Sequence, residues 1–262
     1  MFPDIELSDF YIAYRKLKSM VYYDSGGLEL KRKIAEFESS IWGYDDNVSF
    51  KSVFLKRMDP LFNVLNSEAE PLSNNIVISL LNQVSYRIAP KCFTDESPVG
   101  ERKDKDKNPV KFYSNDIENK PLYIDNYNLM VQAPVEVYVL STLWVMKVAV
   151  MLKEKIPKHN YANRLSINQA EKNDDTSHDG LMLFRPYFTE YQKWLDNGLI
   201  KTRQLLDDGN NCALVSLDIK RYFYSIRMNV DSAFRDIIGN NRQLLALTEI
   251  LQGIHINTSV IF

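Results

Sequence analysis

Residues 214 to 226 read Leu-Val-Ser-Leu-Asp-Ile-Lys-Arg-Tyr-Phe-Tyr-Ser-Ile: an apolar run closed by Asp218, then a basic pair, an aromatic triplet and Ser-Ile. An aspartate at the end of a buried strand is costly to keep ionised unless something answers its charge. Three partners would do so: a cation, a helix N-terminus or a metal ion. Lys220 and Arg221 offer the plain solution, an ion pair. The chemical solution is phosphoryl transfer, in which two divalent cations about 4 Å apart clamp the attacking and leaving oxygens. Magnesium prefers hard oxygen ligands and takes only a few from protein. A strand end supplies such ligands rigidly, here the Asp218 carboxylate and the Ile219 carbonyl.

The elements that must position these groups follow from the flanking residues. Leu214 to Ile219 is short, apolar and partly β-branched, which predicts a buried strand. Gly209, Asn210 and Asn211 predict a turn before it. Ser225 to Ile238 predicts a helix with Ile226, Val230, Phe234 and Ile237 on one face. By itself this is a strand–turn–helix whose aspartate is ion-paired or caps the helix, and that plain alternative stands beside the chemical one.

The whole string resembles the first catalytic motif of the reverse transcriptase palm, D-I-K-x-F-F-x-S-I. Other segments are similar to bacterial reverse transcriptases of the abortive-infection and defence-associated groups. Ala13-Tyr14-Arg15-Lys16-Leu17-Lys18 with Tyr22-Tyr23-Asp24 resembles their leading helix, and Tyr86-Arg87-Ile88-Ala89-Pro90-Lys91 their first fingers motif. Ala133-Pro134-Val135-Glu136 with Leu143-Trp144, Tyr161-Ala162-Asn163-Arg164-Leu165, and the aromatic helix from Tyr187 to Trp194 resemble later fingers segments. The resemblance is strongest over 214–226.

The resemblance implies an RNA-directed DNA polymerase of an antiphage defence system. Asp218 would bridge two Mg2+ ions and the Ile219 carbonyl would touch the one on the nucleotide side. Tyr222 and Phe223 would contact the incoming nucleotide. The bulk of Phe223 under the sugar would exclude a 2′-hydroxyl, although an ordinary core phenylalanine is its plain alternative. Arg87, Lys91 and Arg164 would meet template or triphosphate. For Arg87 and Lys91 the alternative is solvated surface charge, and for Arg164 a brace of the fingers on the palm. The implied partners are an RNA template and deoxynucleotides, with a non-coding RNA or a partner protein as further candidates and no membrane.

The implied fold is α+β: a helix-rich N-terminal region at 1–70, a fingers-like region at 71–206 with a flexible insertion near 94–120, and the start of a right-hand palm at 207–262. That palm is incomplete. The family needs an aromatic-x-Asp-Asp turn after the first motif, and no Asp-Asp pair follows Asp218. Tyr44-Asp45-Asp46, Asp174-Asp175 and Asp207-Asp208 all precede it and read as loop acids. The apolar end, Val260-Ile261-Phe262, fits an interrupted domain. The expectation is therefore a fragment of a longer polymerase, inactive alone. A catalytically degenerate module that holds RNA or a partner is the second reading, and an unrelated α-rich scaffold the third.

Composition sets the bounds. The chain has 262 residues, 45% hydrophobic and 25% charged, which is ordinary for a globular protein. Its formal net charge of −2 counts against a nucleic-acid enzyme, whose phosphate contacts usually leave a basic footprint. A basic channel under an acidic exterior remains compatible. The two cysteines, Cys92 and Cys212, form no disulfide framework or zinc spacing. Nor do His159, His178 and His255 have ligand spacing. With no visible signal peptide, a reducing cytoplasm is the expected location. Val131 to Leu152 is the most apolar stretch, but Glu136 and Lys147 make it a buried helix rather than a membrane span. Helical periodicity also predicts helices at 8–23, capped by Ser8, at 28–41 and within 49–66. An aromatic-faced helix begins near Phe184 and ends at Gly198, and Ile200 to Leu206 continues helically. Residues 76–88 fit helix or strand.

If the expectation of an incomplete palm is correct, the purified 262-residue chain with Mg2+, deoxynucleotides and a primed RNA template incorporates nothing. Template-dependent incorporation by it would overturn that expectation.

Overall fold

The computed structural model describes residues 4–23, 27–42, 49–94, 123–152, 155–157, 159–161, 164–166, 182–215 and 230–259. They divide into two compact units. One spans Asn82–Pro134 and the other comprises Met1–Leu81 with Val135–Phe262.

The larger unit is helical. Its helices are α1 (Leu7–Tyr23), α2 (Leu28–Trp42), α3 (Phe50–Asn66), α4 (Asn75–Leu81), α5 (Val135–Lys147), α6 (Tyr187–Asp207), α7 (Val230–Ile238) and α8 (Arg242–Ser259), with 3-10 turns at Pro71–Ser73 and Ala149–Leu152. The first helix buries the stripe its periodicity predicts, Phe10, Tyr14, Leu17 and Val21, together with Ala13. Ser8 does not cap it. The helix starts one residue earlier, and the Asp9 carboxylate accepts the Glu6 N–H at 2.8 Å. A carboxylate in the first turn also meets the positive end of the helix dipole. In α2 the buried residues are Ile34, Phe37 and Ile41. Helix α3 is capped by Ser49, which accepts from the Ser52 N–H, and it runs through Pro60. Proline inside a helix costs a backbone bond, and burial of Phe54, Met58, Leu61 and Leu65 along α3 offsets that loss.

These three helices share an aromatic cluster. The Tyr14 and Phe54 rings lie 4.9 Å apart, and Phe37 sits 6.1 Å from Phe54 edge to face. Each such pair is worth about 0.5–1.5 kcal/mol beyond its buried area. The Arg57 guanidinium covers the outer face of Phe37 at 4.6 Å and pairs with Glu136 of α5 at 2.8 Å. The Tyr14 hydroxyl donates to Glu38. Burial first, and then that carboxylate, push the phenol well above its usual range.

Helix α5 is the apolar stretch that the sequence marks as a core helix rather than a membrane span. With the 3-10 turn after it, it is the one candidate among the described residues long and apolar enough to cross a membrane. Val137, Val139, Leu140 and Leu143 are buried, and the helix packs on α1 and α8. Its last turn carries Lys147, whose ammonium meets the Asp9 carboxylate at 2.7 Å with both side chains under a tenth exposed. Lys147 also donates to the Asp4 carbonyl at 3.2 Å. Helix α8 buries Leu244, Leu247 and Ile250. Near its end Gly253 allows close approach, since a Cβ there would lie 2.8 Å from Leu72 Cδ2 and 3.1 Å from Leu81 Cδ1.

The smaller unit is an antiparallel hairpin of β1 (Ser85–Thr94) and β2 (Tyr123–Gln132). The undecided stretch 76–88 thus divides, its first part in α4 and its last in β1. Pro90 is tolerated because each strand of a two-stranded sheet is an edge. The helix-rich body and small sheet agree with the α+β class.

Asp9 and Lys147 generate the first stability prediction. Asp9→Ala leaves the ammonium buried without its carboxylate and is expected to cost about 3–5 kcal/mol. Replacing both residues, Asp9→Leu with Lys147→Met, restores most of the loss. Urea unfolding reads both, and a single variant unfolding at the wild-type midpoint would show that the pair contributes nothing.

Candidate functional site

The description stops at residue 215 and resumes at 230, so Asp218, Ile219, Tyr222 and Phe223 lie outside the described residues. Their flanks are well defined. Upstream, α6 runs through Gly198 instead of ending there, and continues to Asp207. It stops on Gly209, whose φ of 78° is in the left-handed region. The Gly209 N–H donates to the Leu206 carbonyl and the Asn210 N–H to the Leu205 carbonyl, both at 2.9 Å. These are the two bonds of a Schellman stop, and they make the turn expected at 209–211.

Beyond that turn only the first two residues of the strand expected over 214–219 are described. The apolar run predicts a buried strand from Leu214, yet Leu214 and Val215 are 74% and 71% exposed and belong to no strand. The reason is one of partners, because a strand must satisfy its N–H and C=O groups on a neighbour. Among the described residues the only ladder joins β1 to β2, in the other unit.

Downstream, α7 is pinned to the core. Its Phe234 ring meets Trp144 of α5 edge to face at 5.0 Å, and Ile238 is fully buried. Trp144 is itself held, its indole N–H donating to the Thr248 hydroxyl at 2.8 Å. The described part of the helix predicted over 225–238 begins at Val230.

The predicted basic contacts fall into two groups. Arg87 is exposed on β1, where it faces Met130 of β2 in the register. Lys91 occupies a register shift, since Pro90 pairs with Tyr127 and Cys92 with Asn126. This bulge interrupts the alternation that would place strand positions 87 and 91 on one face. Arg164 belongs to the helical unit and braces its own loop. Its Nε donates to the Asn160 carbonyl at 2.5 Å and its terminal nitrogen to the Pro157 carbonyl at 2.9 Å.

Of the acidic pairs, Asp207-Asp208 is described. It forms a helix end rather than a loop, with Asp208 as the C-cap of α6. Among the described residues no group of His, Cys, Asp or Glu is placed to hold a metal ion. The implied magnesium ligands, Asp218 and the Ile219 carbonyl, lie outside them.

Two segments that resemble fingers in sequence, around Tyr161 and along Tyr187 to Trp194, come together in a concave site. A cleft of about 290 Å³ is lined by His159, Asn160, Tyr161, Tyr187, Tyr191 and Trp194. The loop 164–166 is tied to 182–186 by a bridge between Leu165 and Phe184, with the Ser166 N–H on the Leu183 carbonyl at 2.9 Å. The Asn197 amide donates to the Tyr161 hydroxyl at 2.7 Å. On α6, Tyr187 and Tyr191 stack at 5.7 Å, and Tyr191 lies 5.6 Å from Trp194. The spacing i, i+4, i+7 was legible as an aromatic face. That the face would be left uncovered was not, because aromatic stripes are usually core.

Comparison with family models, curated proteins and solved structures finds no match to this chain.

At the start of α6, Glu190 is buried and accepts from Lys193 at 2.8 Å, with Arg185 at 3.6 Å. The hydrogen bond from Lys193 holds its carboxyl below the usual range, against the opposing effect of burial. A depressed folded value means that the stabilisation is complete above the ordinary carboxylate value of 4.5 and is lost as pH falls through the folded one. Urea midpoints of wild type and Glu190→Gln should therefore differ at neutral pH and converge in acid. A gap that stays constant down to about pH 3 would remove the carboxylate as its source.

Proposed function

We propose that this chain carries the fingers and first palm motif of an RNA-directed DNA polymerase of the defence-associated kind. The reading rests on the string from Leu214 to Ile226, and fingers-like segments preceding a palm motif in the family's order support it. The Asp218 carboxylate and the Ile219 carbonyl are the metal-holding groups. Bound magnesium would neutralise charge on the transferring phosphoryl group. Tyr222 and Phe223 bear on the incoming deoxynucleotide, with the Phe223 ring filling the space a 2′-hydroxyl needs. Arg87 and Lys91 offer cations to template or triphosphate. Arg164, committed to two backbone carbonyls, acts as a brace.

One observation favours a second reading. No Asp-Asp pair follows Asp218 in these 262 residues, and a single carboxylate carries too little charge to hold two magnesium ions. In that reading the chain is a degenerate polymerase-like module that holds RNA or a partner protein without copying.

The discriminating experiment uses the natural gene product, purified with Mg2+, deoxynucleotides and a primed RNA template. Under the polymerase reading Asp218→Ala lowers incorporation by about a thousandfold, equivalent to several kcal/mol of lost charge stabilisation. Incorporation by neither protein, or equally by both, would sink that reading.

A further inference from the structure

The aromatic face of α6 is left open where a core helix would cover it. Tyr187 is 76% exposed, and Tyr191 and Trp194 are each 46% exposed. Large apolar rings held in water are a sign of recognition when they share a defined geometry. Here they form a ladder: Tyr187 on Tyr191 at 28° between planes, and Tyr191 on Trp194 at 38°. The cleft beside them is closed on its other side by Tyr161 and carries two polar groups, His159 and Asn160.

The helix continues this stripe with a change of chemistry. At spacings of four, three, four and three residues, Tyr187, Tyr191, Trp194, Gly198 and Lys201 follow one line along α6. A Cβ at Gly198 would meet nothing within 4 Å, so the line stays open between the rings and the ammonium. Lys201 is exposed and lies about 10 Å along the axis from Trp194. Arg185 precedes the ladder at its other end. The acids divide about this line: Asp208 falls on it, seven residues beyond Lys201, and Glu190 lies beside it, three residues from Tyr187 and four from Trp194. Asp196 and Asp207 fall on the opposite side of the helix by its periodicity, and Glu190 is buried and paired with Lys193.

We infer that this face binds single-stranded nucleic acid, with bases stacked on Tyr187, Tyr191 and Trp194 and the backbone phosphates toward Lys201. Flat rings at stacking distance and a nearby cation are what a base and its phosphate require. An apolar protein segment would use the rings as bulk and would need neither the stacking nor the cation. The inference rests on the ring geometry and Lys201 rather than on the polymerase reading, although Tyr161 and the Tyr187–Trp194 helix are also among the fingers-like segments.

The test is fluorescence anisotropy with labelled single strands of RNA and of DNA, about 12 nucleotides long, using the full chain. Tyr191→Ala and Trp194→Ala should each weaken binding by about 5- to 100-fold, while Tyr191→Phe and Trp194→Phe stay within about threefold. Lys201→Gln should reduce the slope of log affinity against log salt by about one. A duplex of the same sequence, its bases already stacked, should bind more weakly than the single strands. Binding is read without Mg2+ or deoxynucleotides, which keeps this outcome separate from incorporation under the polymerase reading. The substituted side chains are exposed, and circular dichroism checks that each variant folds. Two results would overturn the inference: alanine variants that bind as tightly as wild type, or a self-associating chain that Trp194→Ala turns monomeric and that takes up neither strand.

Discussion

The helical unit depends on one buried charge pair. Asp9 and Lys147 lie far apart in sequence, and each is enclosed where an unanswered charge would be untenable. Their contact fixes the start of α1 against the end of α5. Such a pair adds little net energy compared with an apolar pair of the same shape, but it admits few other arrangements. Gln243 applies the same logic nearby. Its amide exchanges two hydrogen bonds with the backbone of Ile5 and donates a third to Asn66. The beginnings of α1 and α8 and the end of α3 are thereby tied together.

Once α5 is fixed, its other face sets the geometry around the motif. Trp144 is held by Thr248 of α8 and in turn holds Phe234 of α7. At the opposite flank, the Schellman stop of α6 ends on a glycine that a bulkier residue would strain. The chain therefore leaves one helix and enters another at points with independent causes, left-handed backbone on one side and an aromatic contact on the other.

Much of this was legible in the sequence where one physical rule acted alone. The stripes of α1 and α2 have the period of a helix and are buried as that period requires. Expectation and structure part where two rules compete. Ser8 is a good cap by type, but Asp9 brings both a capping oxygen and the charge that Lys147 needs. Pro60 and Gly198 break helices by propensity, and in α3 the packed face overrides that preference. The exposed α6 has no such face, yet it contains Gly198 within a long helix closed at its end by Gly209. Leu214 and Val215 open the strand predicted over 214–219 yet are exposed and belong to no ladder, because β structure needs a neighbour that a local pattern cannot supply. No strand was foreseen over 123–132, where polar residues interrupt the apolar alternation. The aromatic cleft depends on which described residues pack beside α6, Tyr161 among them, and no local spacing encodes that.

The hairpin illustrates a different economy. Its first and last residues, Ser85 and Gln132, are register partners, and so are Thr94 and Tyr123 at the far end. The chain thus departs from α4 and returns to α5 through a doorway one strand pair wide. Because the ladder already brings Thr94 and Tyr123 together, the length of chain between them costs only a slowly growing loop entropy. A change in the number of residues between Thr94 and Tyr123 therefore leaves the register of the ladder as it is and weighs on it only through a logarithm.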